Sequence, residues 1–196
     1  GNEVFLDYPS VGATENIMIV AAAARGCTTI TNAAAEPEIV DLANFLNKMG
    51  ARVSGAGTSC IQIQGARDLC GVIHTVIPDR IEAGTFLIIA AATGGQVQLQ
   101  RVVPDHLRKV INKLRQAGVP IEEGSDELVV YPTEELRPLQ ITTAPYPGFP
   151  TDMQPQFAAL LTTAGGESTI RETVFESRFL YAEFLRRMGS QIYVNG

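Results

Sequence analysis

The chain is poor in the residues from which metal, redox and nucleic-acid sites are usually built. Its three cysteines, Cys27, Cys60 and Cys70, are odd in number and show neither C-x-x-C nor histidine-partnered metal-site spacing. That argues against a disulfide framework or a zinc centre and leaves reduced thiols as the expectation. Two histidines occur, His74 and His106, far apart in sequence, and neither is given a chemical role. No run of five or more like charges is present and the formal net charge is −6. Without a basic patch to displace counterions from phosphates, nucleic acid is not an expected partner. The longest apolar run, Ile17 to Ala24, is far too short to cross a bilayer and starts too late to be a signal peptide. No metal, cofactor or membrane is expected, and the reading is of a soluble, cytoplasmic protein.

What is present is enough for a proper core: 196 residues, 45% hydrophobic and 18% charged, fit one large domain or two small ones. A single pattern is written three times, beginning near Thr14, Gly84 and Met153. Each copy has an apolar helix closed by glycine, a short strand, an acidic or proline-bearing turn, and an amphipathic helix closed by another glycine. The paired glycines, Gly26 with Gly50, Gly95 with Gly118 and Gly166 with Gly189, are almost equally spaced. The second helices share one apolar stripe: Leu42, Ala43, Leu46 and Met49, then Val110, Ile111, Leu114 and Ala117, then Tyr181, Ala182, Leu185 and Met188. The first helices are apolar all round and are expected to be buried on every side. Strands are predicted at Val4–Leu6, Thr28–Thr31, Cys60–Gln64, Val72–Ile77, Val97–Gln100, Leu128–Tyr131, Gln140–Thr143 and Ser168–Arg171. Hairpins should turn at residues 55–57 and 123–125, and Asn195-Gly196 reads as a further turn with no returning strand. The fold class is therefore α/β, built from strand-helix-strand-helix-hairpin units, the last of them truncated.

Three loops deliver polar residues to the starts of the apolar helices: FLDYPSVGATEN, VIPDRIEAG and PYPGFPTDMQ. Ser10, Asp79 and the pair Thr151-Asp152 stand at or just before a helix N-terminus. Each suits helix capping, worth about 1 kcal/mol. The free amides and positive helix end suit an anion equally well. Ser10-Val11-Gly12 fits the second use best, with a hydroxyl, successive amides and a glycine that lets a ligand approach. In the third loop two prolines stiffen the lead to Asp152, as a carboxylate acting on a hydroxyl requires.

These stretches carry a family resemblance. PSVGATEN at 9–16, EPEIVDLANFLNKMGA at 36–51, PDRIEAGTF at 78–86, TAPYPGFPTDMQPQF at 143–157 and ETVFESRF at 172–179 resemble the UDP-N-acetylglucosamine 1-carboxyvinyltransferases, which are enolpyruvyl transferases. The resemblance covers this whole chain and about half of the family's usual length. It implies an inside-out α/β barrel fold with helices inside and sheets outside. By this reading residues 1–66 are the last repeat unit of the first, catalytic domain, 67–78 the hinge, and 79–196 two units of the second domain. It also implies transfer of enolpyruvyl from phosphoenolpyruvate to the 3-hydroxyl of UDP-N-acetylglucosamine, in peptidoglycan synthesis. Asp152 matches the proposed general base, with Thr151 beside it. Ser10, Val11 and Gly12 match the loop at the nucleotide's diphosphate, led by Tyr8 and Pro9, and Val174 matches an apolar contact to the sugar nucleotide. Glu36, Asp79 and Arg80 fall in motifs expected to serve the domain junction.

The resemblance also marks what the chain lacks. No cysteine lies beside an Arg and a Pro-Gly, as in the family's reactive loop, and the residues that hold phosphoenolpyruvate have no match. The chain alone is therefore expected to release no phosphate, and self-association or pairing with a complementary portion is expected. The rival readings are an enzyme acting on shikimate 3-phosphate and a non-catalytic scaffold or regulatory piece of the same fold.

Overall fold

The computed structural model describes residues 1–195, so the predicted Asn195-Gly196 turn falls partly outside the described residues. Two compact units form, Gly1–Ile77 and a second beginning at Pro78.

In the first unit β1 (Glu3–Phe5), α1 (Val11–Ala23), β2 (Cys27–Thr31), α2 (Pro37–Met49), β3 (Arg52–Ser54) and β4 (Cys60–Gln64) follow in order. The sheet runs β1-β2-β4-β3, with β1 parallel to β2 and the other pairs antiparallel. In β4 every second side chain is buried, placing Ile61 and Ile63 under the helices and the glutamines in solvent. Met18, Ala21 and Ala22 of α1 and Ile39, Ala43 and Leu46 of α2 complete this core. The helix α2 ends at Gly50, whose φ of 112° lies in the left-handed region and whose N–H reaches Leu46 O.

The second unit contains α3 (Arg80–Thr93), β5 (Val97–Gln100), α4 (Arg108–Gln116), β6 (Ile121–Glu123), β7 (Glu127–Val130), β8 (Gln140–Thr142), α5 (Gln154–Leu161), β9 (Thr169–Arg171) and α6 (Tyr181–Arg187). Antiparallel β5-β7-β6 and parallel β8-β9 form separate sheets. Ile111 and Leu114 of α4 are fully buried, each contributing about 1.5–3 kcal/mol by leaving water. Gly84 of α3 brings the turn before α5 close: a Cβ there would stand 2.9 Å from Met153 Cε. Phe149 and Phe157 meet edge to face at 5.1 Å. Phe149 and Met153, both buried, thus bracket the Thr151-Asp152 turn.

Four expectations need correction. Val72–Ile77 is not a strand. His74 instead binds helix α2, its Nε2 at 2.9 Å from Asp41 Oδ1 and its Nδ1 at 3.2 Å from Lys48 Nζ, while Ile73 is 96% exposed. The apolar helices are buried on one face only; Ile19 and Val20 of α1 and Phe86 and Ile89 of α3 are exposed, because a sheet covers one side of a helix and leaves the other to further elements. The helix α3 closes on Gly94 (φ 64°) rather than Gly95, and α1 and α5 end before their glycines, with Ala24 and Thr162 at their C-caps in place of Gly26 and Gly166. On α6 the predicted stripe holds at Ala182 but fails at Met188, which is exposed beyond the helix end.

Candidate functional site

Each predicted loop is built differently. Ser10 caps α1, its Oγ accepting from Ala13 N–H at 3.2 Å. Buried Thr14 ties this loop to the next element: its hydroxyl donates to Ser10 O at 2.8 Å and accepts from Ala34 N–H at 3.0 Å. Val11 and Gly12 open the helix, and the first turn carries no acidic side chain, so its positive end is not neutralised locally. A Cβ at Gly12 would meet nothing within 4 Å. Pro9 is half-buried and Tyr8 is exposed. Glu15, one turn further along, has its carboxyl pushed up by burial and then by the charges of Glu38 and Glu36.

Asp79 is committed to capping: its Oδ1 accepts from Ile81 N–H at 2.7 Å and Glu82 N–H at 3.2 Å. The Arg80 guanidinium stacks over the Tyr146 ring, 5.7 Å from its centroid. Glu36 stands at the N-cap of α2 without a side-chain capping bond and is buried.

The third loop brings together what sequence reasoning named and two residues it missed. Thr151 and Asp152 lie in a 3-10 turn, Thr151–Met153, that runs into α5. The turn's amides are already engaged, Met153 N–H with Pro150 O and Gln154 N–H with Thr151 O. Asp152 therefore caps nothing. Its carboxylate, 54% exposed, accepts from Arg178 Nη2 at 2.7 Å. Arg178 also donates through Nη1 to Thr151 Oγ1 at 3.0 Å and stacks over Phe175. Thr151 in turn donates to Glu172 Oε2 at 2.8 Å.

Glu172 is the hub. Its Oε1 accepts from Thr143 Oγ1 at 2.7 Å, Val174 N–H at 2.7 Å and Phe175 N–H at 3.1 Å. Burial pushes this carboxyl up, but the hydrogen bonds from Thr143, Val174, Thr151 and Phe175 outweigh it, and it ends below its ordinary value. Tyr181 nearby is pushed up to about 12 by burial and by the charge of Glu172, so it stays a neutral phenol. Val174 is half-buried, and its amide is held by Glu172. Arg178 and Glu172 both belong to ETVFESRF, in which an acid and a base spaced around a turn were the available signal. Among the described residues no cluster of three or more His, Cys, Asp or Glu could hold a metal ion, and no helix is long and apolar enough to cross a membrane.

In the first unit the start of α1 is a helix N-terminus with no acidic side chain in its first turn, and in the second unit the start of α5 presents an ion-paired carboxylate. Comparison with known proteins bears on what they serve. The family model described as EPSP synthase (3-phosphoshikimate 1-carboxyvinyltransferase) matches residues 1–196. The chain is 57% identical over 196 residues to UDP-N-acetylglucosamine 1-carboxyvinyltransferase 1 of Caldanaerobacter subterraneus subsp. tengcongensis, covering 100% of this chain and 47% of that protein. It is 58% identical over 198 residues to UDP-N-acetylglucosamine 1-carboxyvinyltransferase 2 of Carboxydothermus hydrogenoformans, again covering 100% of this chain and 47% of the relative. It thus spans about half the length of the curated relatives it matches. The crystal structure of the enolpyruvyl transferase NikO from Streptomyces tendae superposes with a TM-score of 0.88 at 28% identity, over 99% of this chain and 49% of that one. The fold is that of the enolpyruvyl transferases, and the chain belongs to the EPSP synthase (3-phosphoshikimate 1-carboxyvinyltransferase) family.

Proposed function

We propose that this chain carries the sugar-nucleotide side of an enolpyruvyl transfer from phosphoenolpyruvate to the 3-hydroxyl of UDP-N-acetylglucosamine, a step of cytoplasmic peptidoglycan synthesis that feeds cell-wall growth and division. The observation that carries the reading is Asp152. It is an exposed carboxylate, spent on no helix cap and held by one ion pair on a braced turn. In the addition step it accepts the hydroxyl proton as that oxygen bonds to the central carbon of phosphoenolpyruvate, while an acid supplied by a further portion of the protein protonates the methylene; a proton lost from the resulting methyl group then accompanies the departing phosphate. Elimination of phosphate then restores the double bond. Ser10, Val11 and Gly12 hold the diphosphate, using the Val11 and Gly12 amides at the start of α1, with Tyr8 and Pro9 leading in. Val174 completes the contacts, with Thr151 beside Asp152 in the same turn. The residues that hold phosphoenolpyruvate come from a further portion of the protein, so no turnover is assigned to the chain by itself. The identity to the two sugar-nucleotide enzymes supports this substrate over shikimate 3-phosphate.

Gly12→Ala gives the cleanest test, because the added methyl meets nothing in the folded chain and sits inside a helix, where alanine is favoured. An amide-spectrum titration with UDP-N-acetylglucosamine should move Ser10, Gly12 and Asp152 in the wild type. The variant should fold as well and bind at least about tenfold more weakly, a loss of about 1.4 kcal/mol. Equal binding by the variant, no shift at Ser10 and Asp152, or a stronger response to shikimate 3-phosphate would each refute the assignment.

A further inference from the structure

We infer that Thr151 and Glu172 are positioning residues, which lock Arg178 and through it aim Asp152. The inference rests on the reading of Asp152 as the proton acceptor and changes the part played by Thr151 within it. The Thr151 hydroxyl is already used on both sides. It gives its hydrogen to Glu172 Oε2 at 2.8 Å and takes a hydrogen bond from Arg178 Nη1 at 3.0 Å. A hydroxyl has one hydrogen, so Thr151 has none left to offer a substrate, and its side chain is buried rather than presented.

The geometry divides the guanidinium between two anchors. Nη1 is fixed by Thr151 and Nη2 by Asp152 at 2.7 Å, while the Phe175 ring, 5.0 Å from the guanidinium carbon, covers one face. A planar fork fastened at both nitrogens and stacked on a ring cannot rotate freely. Glu172 supplies the fixed end. Its carboxylate joins the end of β8 through Thr143, the 3-10 turn through Thr151, and the 174–175 turn through two amides. The same turn passes through Ser177 at φ 55°, a left-handed conformation that a serine adopts only where its surroundings enforce it. Arg178 follows directly. The segment ETVFESR is thus a clamp whose one strained residue delivers the guanidinium to a hydroxyl oriented by Glu172. Arg178 engages one oxygen of Asp152, Oδ1, and so sets the direction in which the carboxylate faces.

Nitrogen-detected spectra of the arginine side chains test this in the full chain without any ligand. At low temperature the two Nη signals of Arg178 should be resolved, since rotation about Cζ–Nε is blocked. Thr151→Ser keeps the hydroxyl and should keep them resolved. Thr151→Val keeps the shape, removes the hydroxyl, and should merge them, with the backbone amide spectrum confirming the fold. If Thr151→Val does not fold, Glu172→Gln decides instead: it retains an acceptor for the two amides, loses the Thr151 acceptor, and should likewise merge the signals. Averaged Nη signals in the wild type, or resolved signals persisting in the folded Thr151→Val or in Glu172→Gln, would overturn the inference. Failure of the nucleotide titration alone would leave the clamp intact and remove its chemical purpose, so the two outcomes are separable.

Discussion

Replacing Glu172 by alanine removes one carboxylate and four hydrogen bonds from the second unit. A hydrogen bond to a charged group contributes about 1.5–3 kcal/mol, but three of the four share one oxygen, Oε1, and the partly exposed donors recover water. Thr143 is different, since it is fully buried and its hydroxyl hydrogen would be left unpaired, at about 1–3 kcal/mol. Adding roughly 1 kcal/mol for the remaining donors together gives a loss of about 3 kcal/mol. Urea denaturation can be followed by tyrosine emission, because Tyr131, Tyr146, Tyr181 and Tyr193 lie in the second unit and Tyr8 in the first. With a slope near 1.5 kcal/mol per molar, the midpoint of that unit should fall by about 2 M. The pH dependence has a definite sign. A carboxyl whose folded pKa lies below its unfolded value contributes stability that is complete above the unfolded value, 4.5, and is lost as pH falls through the folded one. The difference between wild type and Glu172→Ala should therefore narrow as the pH drops below 4.5. A midpoint change under about 0.5 M, or a difference that does not narrow in acid, would refute the account of Glu172 as a charged hub.

Glu15→Gln should stabilise the first unit at pH 7 by roughly 0.5 kcal/mol after screening. The raised pKa of Glu15 means that ionisation opposes folding, so the gain, read from thermal melts, should vanish in acid, below the ordinary carboxyl value; a gain that persists there would contradict it. Gly50→Ala should cost the same unit about 1–2 kcal/mol through its left-handed backbone alone. The nearest atom to the new methyl, Asp68 O, is 3.7 Å away, so an unchanged urea midpoint would show that the φ of 112° is not held in solution.

Much of the architecture was legible because it rests on side chains that act locally. The stripe Val110, Ile111, Leu114 and Ala117 is buried throughout, and its period of about 3.6 residues admits one structure only. The stop at Gly50 follows from the same kind of local rule. Between Gly94 and Gly95 no local rule chooses, since either can turn left-handed, and the structure uses the first. Val72–Ile77 shows the opposite failure. β-Branched residues state a preference for extended backbone, but a strand also needs a partner. Here His74 finds Asp41 and Lys48 on α2 instead, a contact that depends on residues some thirty positions away. The exposed faces of α1 and α3 could not be foreseen either, because composition reports how apolar a helix is and not how many neighbours cover it.

The site was legible only as far as residue type. Serine or aspartate ahead of an apolar helix looks the same at Ser10, Asp79 and Asp152, and all three read equally well as caps. What separates them is where unsatisfied amides remain. At Ser10 and Asp79 the helix begins at once, and its first-turn N–H groups take the side-chain oxygen. At Asp152 a 3-10 turn comes first, so backbone carbonyls have already claimed Met153 N–H and Gln154 N–H, while Pro155 brings no N–H at all. A carboxylate with no amide in reach must be solvated or find a cation, and Arg178 is the cation supplied. The acid is thereby relieved of any capping role. That relief is encoded in Pro150 and Pro155 on either side of it, and its partner lies in a segment more than twenty residues away.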